Sequence, residues 1–255
     1  MLPRAKKRFG QHFLADRHYL TRIAQAIAPK AGDSMVEIGP GTGILTAELA
    51  PELERLHVVE IDRDLAAELA ARFPEGKLVI HRADALEFDF EALPAPLRVV
   101  GNLPYNVSTP ILFRIAAIAD RIKDAIFMLQ KEVVERMVAQ PDTEAYGRLS
   151  VMLQYRFEMA LLFRVPPGAF TPPPKVDSAV VLMKPLAADR PRARDEELFA
   201  KIVMAAFSQR RKMLRSAVRA LVSAEAFSKA GIDSQRRGET LSVVEFIALS
   251  DAAAG

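Results

Sequence analysis

A glycine-rich segment follows an apolar run near the start of the chain. The run Val36–Ile38 leads into Gly39–Gly43, which reads GPGTG. Because glycine has no Cβ atom, a turn of this composition can bend tightly and bring its backbone close to a ligand. The Gly-x-Gly-x-Gly spacing puts Ile44 where the dinucleotide fingerprint needs a third glycine, and the Gly-Lys-Ser/Thr of a P-loop is absent. The turn therefore predicts a ligand that the backbone approaches closely, without the phosphate-binding contacts of either motif.

Two carboxylates follow the next two apolar runs. Glu60 lies at the end of Leu56–Ile61, and Asp84 comes after Lys77–His81. A carboxylate at the first position can accept hydrogen bonds from both ribose hydroxyls of an adenosine, and one at the second can accept from the adenine amine. Each acid alone also fits a helix cap. Together with the glycine turn, they predict an adenosine ligand.

A third segment, Asn102-Leu103-Pro104-Tyr105, follows another apolar run. The Asn102 amide oxygen is an acceptor, Pro104 stiffens the turn, and the Tyr105 ring can stack on a base. Acceptors beside an aromatic face suit a planar amino group, either adenine N6 or an amide nitrogen. Holding both amine hydrogens draws the lone pair out of conjugation and directs it at an electrophile. The alternative is an ordinary helix N-cap followed by a proline turn.

The elements that must position these residues alternate between apolar runs and helical patterns. Strands are predicted at 35–38, 56–61, 77–81, 98–101 and 124–129. Strands alternating with helices predict an α/β fold with a doubly wound, mostly parallel sheet. Two further strands, 157–165 and 176–183, are joined by a proline-rich loop without a helix, so one antiparallel strand is expected. Ligands bind such folds at the carboxyl ends of the strands, where all three segments would meet.

The last quarter of the chain has a different pattern. A single helix is predicted over 198–221, with a basic face formed by Lys212, Arg215 and Arg219, and a last helix over 242–249. We expect a first domain at 1–184, a polar linker at 185–197 and a small all-helical C-terminal domain at 198–255.

Charge is segregated along the 255 residues, although the net charge is only +3. Residues 1–30 carry seven basic residues and one acid, and residues 201–219 carry six basic residues and no acid, so the remainder sums to −9. Two basic segments on an otherwise acidic chain indicate a polyanion partner, the alternative being solvated basic faces. The absence of cysteine excludes a disulfide scaffold and a thiol nucleophile. Scattered histidines give no metal-ligand spacing, so no metal is expected.

The two central motifs, VEIGPGTG at 36–43 and NLPY at 102–105, resemble those of the rRNA adenine N6-dimethyltransferases. The resemblance is to the small-subunit (16S) enzymes of bacteria and covers nearly the whole chain. Further matching segments are RFGQHFL at 8–14, QKE at 130–132, YGRLS at 146–150, VPPGAFTPPPKVD at 165–177 and FSQRRK at 207–212.

The resemblance implies a Rossmann-like methyltransferase sheet, S-adenosylmethionine as cofactor, and roles for individual residues. The cofactor would be bound by His12, Leu14, Gly39, Gly41, Glu60, Asp84, Ala85 and Asn102. The catalytic residues would be Asn102, Leu103, Pro104, Tyr105 and Phe170, with Tyr105 and Phe170 sandwiching the extruded adenine. The residues expected to bind RNA are Lys6, Lys7, Arg8, Arg148, Lys175, Arg210, Arg211, Lys212 and Arg215.

The implied reaction is dimethylation of two adjacent adenines near the 3′ end of 16S rRNA, in the immature 30S subunit. It would be a direct in-line displacement without a covalent enzyme intermediate. The alternatives are a 23S rRNA adenine dimethyltransferase and a non-catalytic RNA-binding assembly factor on the same fold. No stretch approaches the roughly 18–20 apolar residues of a membrane span, and the basic start lacks the apolar core of a secretory signal. We therefore expect a cytoplasmic monomer without a membrane partner.

Overall fold

The computed structural model describes residues 12–209 and 212–255. The predicted RNA contacts of Lys6, Lys7, Arg8, Arg210 and Arg211 lie outside this range. The chain divides into two compact units, of which the first extends to Val134 and includes Glu158–Pro185, and the second consists of Glu135–Phe157 and Leu186–Gly255.

Nine strands are present among the described residues. They are β1 (Phe13–Leu14), β2 (Ser34–Ile38), β3 (Leu56–Val59), β4 (Leu78–His81), β5 (Leu97–Asn102), β6 (Ile122–Gln130), β7 (Phe157–Val165), β8 (Phe170–Thr171) and β9 (Ser178–Pro185). Strands β1 and β8 form a separate antiparallel pair. The other seven form one sheet in the order β4-β3-β2-β5-β6-β9-β7.

This sheet confirms the predicted architecture. The pairs from β4 to β6 are all parallel, and β9 runs antiparallel to β6. The chain goes outward from β2 through β3 to β4 and then returns to β5 on the other side of β2. The topological switch point, where ligands bind, is therefore at the carboxyl ends of β2 and β5, and we call this side of the sheet the switch-point edge. The central strands are buried along almost their whole length, as expected of a sheet covered on both faces.

Five α-helices accompany these strands in the first unit, among the described residues. They are α1 (Arg17–Ile27), α2 (Ile44–Leu49), α3 (Arg63–Arg72), α4 (Ser108–Ala117) and α5 (Lys131–Val138), the last of which continues into the second unit. No helix was predicted at α1 or α5. Helix α1 begins at Asp16, whose carboxylate caps it by accepting a hydrogen bond from the backbone of His18 at 2.8 Å.

A buried ion-pair cluster lies at the amino ends of the strands, away from the switch-point edge. Arg98 in β5 donates to Asp33 at 2.6 Å and to Asp124 at 2.9 Å. Lys123 also bonds Asp33, at 2.8 Å. Burial alone would raise the pKa of Asp33, but the hydrogen bonds from Lys123 and Arg98 outweigh this effect and lower the pKa to about 2. These ion pairs connect β5 to β6 and to the start of β2 at the amino ends of the strands.

The second unit is helical, with α6 (Arg148–Gln154), α7 (Glu196–Ser208), α8 (Leu214–Ala217), α9 (Ala224–Ala230) and α10 (Val243–Ala254). The predicted helix over 198–221 is wrong, because α7 ends at Ser208 and α8 is a separate short helix. The backbone of Leu214 donates to Arg236 at 2.7 Å, and that of Arg215 donates to Ser234 at 3.1 Å. These bonds to a distant loop replace the bonds of a continuous helix.

The predicted domain boundaries also need correction. Tyr146, Val151 and Tyr155, expected in the first domain, belong to the hydrophobic core of the second unit. The Tyr146 hydroxyl donates to Leu241 at 2.9 Å inside this core. The expected linker at 185–197 is anchored too, since Ala193 is buried and its backbone donates to the Tyr155 hydroxyl at 3.0 Å. None of the described helices is long and apolar enough to cross a membrane.

Candidate functional site

The glycine turn lies between β2 and α2 and lines a cavity at the switch-point edge. Gly39, Gly41 and Gly43 have φ angles of 65°, 58° and 72°, in the left-handed region that favours glycine. A Cβ atom on Gly43 would lie 2.5 Å from the Leu69 side chain, whereas one on Gly39 would have no neighbour closer than 3.9 Å. Gly43 therefore packs the turn onto α3, while Gly39 leaves open space on the cavity side.

Glu60 directly follows β3 and lines the cavity. It accepts hydrogen bonds from the backbone of Gly41 at 3.1 Å and of Asp62 at 2.8 Å. Burial raises the pKa of Glu60, and these hydrogen bonds oppose the increase. The carboxylate thus links the glycine turn to the neighbouring strand end, and its binding of a ribose stays a prediction.

Asp84 and Ala85 follow β4 and line the same cavity. Asp84 is half-buried and accepts a hydrogen bond from the backbone of Leu86 at 2.8 Å, which fixes one of its oxygens. The backbones of Glu60 and Ala83 both donate to the carbonyl oxygen of His81, at 3.0 and 3.1 Å. The two acidic positions are therefore connected through one peptide group at the end of β4.

The NLPY segment begins at the last residue of β5. The Asn102 side chain donates from Nδ2 to the backbone carbonyl of His12 at 3.1 Å. Within the described part of the chain its Oδ1 accepts no hydrogen bond, so an acceptor remains for a ligand. Leu103 is buried and its backbone donates to Met128 at 3.1 Å, while Pro104 closes the turn by accepting from Val107 at 3.2 Å.

Tyr105 contributes an aromatic ring to the cavity wall. Its hydroxyl lies 2.6 Å from the hydroxyl of Ser178, and burial raises its pKa. The His12 ring is stacked near it, with centroids 5.6 Å apart and planes at 25°. His12 Nδ1 in turn donates to the carbonyl of Pro172 at 2.9 Å. His12 and Leu14, both predicted at the cofactor, line the cavity beside Asn102.

The structure does not bring Phe170 and Tyr105 together as a sandwich. Phe170 is paired with Leu14 through β8 and β1, and its side chain packs in the hydrophobic core with only 3% exposed. It does not line the cavity. The ring that lies next to Tyr105 is that of His12.

Glu37 is a cavity residue to which the sequence analysis gave no role. It is 1% exposed in β2 and accepts a hydrogen bond from the Thr46 hydroxyl at 2.7 Å. Burial and the nearby charge of Glu60 raise its pKa to about 7, although the bond from Thr46 opposes this. The signal was present in the sequence, since an acid inside the buried run 35–38 needs a partner or a function.

Comparison with known proteins identifies the family. A model of the family Ribosomal RNA adenine dimethylase matches residues 3–254. The chain belongs to the ribosomal RNA adenine dimethylase family. Among relatives of this dimethylase, Ribosomal RNA small subunit methyltransferase A of Aromatoleum aromaticum is 56% identical over 248 residues, which are 97% of this chain and 94% of the relative. The protein of the same name from Laribacter hongkongensis is 57% identical, covering 96% and 95%.

Two solved structures share the fold of this dimethylase. A dimethyladenosine transferase from Plasmodium falciparum has a TM-score of 0.81 and 24% identity, covering 93% of this chain and 96% of that one. The 23S rRNA methyltransferase ErmE has a TM-score of 0.74 and 24% identity, covering 95% and 100%. At this identity the likeness concerns architecture, and it confirms the Rossmann-like methyltransferase sheet.

The predicted RNA-binding residues that the structure describes are exposed. Lys175 lies in the loop before β9 of the first unit. Arg148, Lys212 and Arg215 lie in the second unit, at the start of α6 and near α8. Their contact with RNA stays a prediction.

Proposed function

We propose that this dimethylase transfers two methyl groups from S-adenosylmethionine to N6 of each of two adjacent adenines near the 3′ end of 16S rRNA. The observation that carries the proposal is the Asn102 amide. Its Nδ2 is held by the His12 carbonyl, so its Oδ1 is available in the cavity that Glu60 and Asp84 line. The carboxylates suited to an adenosine and the acceptor for the target amine therefore line one cavity.

The cavity fits the proposed cofactor. Gly39 leaves space that a side chain would fill, and Glu60 and Asp84 supply carboxylates suited to ribose hydroxyls and an adenine amine. Ile61, which lines the same cavity, is 48% exposed and offers an apolar surface to the base. When bound, S-adenosylmethionine supplies an electrophilic methyl group.

The residues of this chain would mainly position the target amine. Asn102 Oδ1 accepts a hydrogen bond from the N6 amine, which keeps the nitrogen lone pair out of the ring system. The Tyr105 ring stacks on the extruded base, which offsets part of the few kcal/mol that unstacking costs. Such alignment of reactants can supply roughly 7–11 kcal/mol of the barrier reduction. No covalent enzyme intermediate is required.

The names of the relatives favour a small-subunit substrate over a 23S substrate. Those at 50–57% identity carry the small-subunit name, whereas ErmE is only 24% identical. The available Asn102 acceptor, in the same cavity as Glu60, favours an enzyme over a non-catalytic binding factor. The proposal includes the immature 30S subunit as partner, with Lys175, Arg148, Lys212 and Arg215 contacting phosphates. It also includes a monomeric enzyme acting in the cytoplasm.

The change Asn102→Ala tests the proposal. It removes the amine acceptor while leaving Glu60 and Asp84 in place. We expect methyl transfer to small subunits that lack the modification to fall by about a hundredfold or more, as when one positioned catalytic hydrogen bond is removed. Transfer is measured by mass spectrometry of the rRNA, and thermal unfolding checks that the variant is folded. A folded variant with a near-wild-type rate would contradict the role of Asn102.

A further inference from the structure

Ser178 is buried and lies directly against the hydroxyl of Tyr105. It is the first residue of β9 and has no exposed surface. Its Oγ lies 2.6 Å from the Tyr105 hydroxyl. Tyr105, in contrast, is half-buried and lines the cavity with its ring. A buried side chain therefore holds the far end of a ring that faces the site.

We propose that Ser178 is a positioning residue, which fixes the Tyr105 ring in the orientation that stacks on the target adenine. The inference rests on the proposed function, since it assigns how the base-stacking surface of that site is held. Ser178 itself does not line the cavity.

The position of Ser178 is fixed by its surroundings. It is paired with Gln130 at the end of β6 in the antiparallel part of the sheet. The residue before it, Asp177, accepts a backbone hydrogen bond from Lys131 at 2.9 Å. The anchor for the Tyr105 hydroxyl is therefore part of the sheet and not of a free loop.

The bond constrains the ring at the end opposite its backbone. Tyr105 follows the Pro104 turn, so its Cα is held by that turn and its hydroxyl by Ser178. A tyrosine ring turns about two side-chain bonds, and fixing both ends removes most of this freedom before a base arrives. A ring already oriented loses less conformational entropy when the base stacks on it, which favours binding of the extruded base.

A double-mutant cycle tests this inference. The variants are Ser178→Ala, Tyr105→Phe and the combination of both, measured by kcat/KM for methyl transfer to unmodified small subunits. Each single change removes the same bond, so we expect each to lower kcat/KM by about two- to tenfold. In the Tyr105→Phe background, Ser178→Ala should have no further effect. Tyr105→Phe keeps the ring and tests the bond even where Ser178→Ala does not fold.

A stacking readout separates positioning from a merely structural role. A short RNA with 2-aminopurine at the target position brightens when the base leaves the RNA stack and is partly quenched again when the base stacks on Tyr105, and the chain has no tryptophan to interfere. We expect the bound probe to be brighter with Ser178→Ala than with the wild type. The matched control is Ser34→Ala, because the Ser34 hydroxyl is buried and makes no hydrogen bond to any residue in the described ranges. This control should behave as wild type.

The outcomes distinguish the two claims. If Ser178→Ala lowers activity equally in the wild-type and Tyr105→Phe backgrounds, or if Tyr105→Phe alone has no effect, the positioning role is wrong while the proposed function stands. If the wild type neither transfers methyl groups nor changes the fluorescence of the probe, the proposed function fails and the inference fails with it.

Discussion

Replacing Glu37 by glutamine should stabilise the ligand-free protein at alkaline pH. The carboxyl is buried, and burial together with the charge of Glu60 raises its pKa from 4.5 to about 7, against the bond from Thr46. A raised carboxyl pKa means that the folded state binds more protons than the unfolded state between these values. Stability from this group is therefore complete below about pH 4.5 and is lost as the pH rises through about 7.

The magnitude follows from the two pKa values. Their difference, 7 minus 4.5, is about 2.5, and each tenfold step corresponds to about 1.36 kcal/mol, which gives about 3 kcal/mol. Glutamine has nearly the same shape and cannot ionise. The two proteins should therefore have similar free energies of unfolding near pH 4.5, and the variant should be more stable by up to about 3 kcal/mol well above pH 7.

Urea unfolding followed by circular dichroism measures this difference at several pH values. Comparing the variant with the wild type at each pH removes the contributions of other titrating groups. The exposed Glu52, changed to glutamine, serves as control and should leave the pH dependence unaltered. A difference between Glu37→Gln and wild type that stays constant with pH would refute the reasoning, as would a wild type that is the more stable protein at pH 8.

Two further predictions concern packing below and beside the site. Arg98→Ala removes the buried guanidinium that Asp33 and Asp124 share and should destabilise the protein by about 3–5 kcal/mol in urea unfolding, whereas Lys123→Ala removes a half-exposed ammonium and should cost about 1 kcal/mol or less. Equal costs would contradict the importance of burial. Gly101→Ala would place a Cβ atom 2.4 Å from a backbone oxygen of β2 and should cost about 1–3 kcal/mol, while Gly32→Ala meets open space and should stay within about 0.5 kcal/mol. A tolerated Gly101→Ala would show that β2 and β5 can separate freely.

The sequence was most informative where the chemistry is local. Continuous apolar runs predicted the parallel strands, because strands buried on both faces need apolar residues throughout. The glycine turn, Glu60, Asp84 and Asn102 could be placed at one edge because strand ends in such a sheet share an edge. The cavity that these residues line shows the expected grouping.

What the sequence could not predict depends on distant contacts. The helix expected over 198–221 has good apolar spacing, yet the backbone of residues 214 and 215 bonds to residues 234–236 instead. Phe170 has the residue type of a stacking partner, but its pairing with Leu14 turns it into the core. Tyr146 lies far from the C-terminal helices in sequence and still packs among them. In each case a partner far along the chain decides the outcome.

Mass analysis of the rRNA tests most directly whether the protein methylates adenine N6 on small-subunit rRNA. Small subunits that lack the modification are incubated with the protein and S-adenosylmethionine, and the mass of the 3′-terminal fragment of 16S rRNA is then measured by mass spectrometry. We predict a gain of two methyl groups on each of two adjacent adenines, dependent on S-adenosylmethionine. A fragment of unchanged mass, with the protein still bound to the subunit, would contradict the claim and indicate a binding factor without methyl transfer.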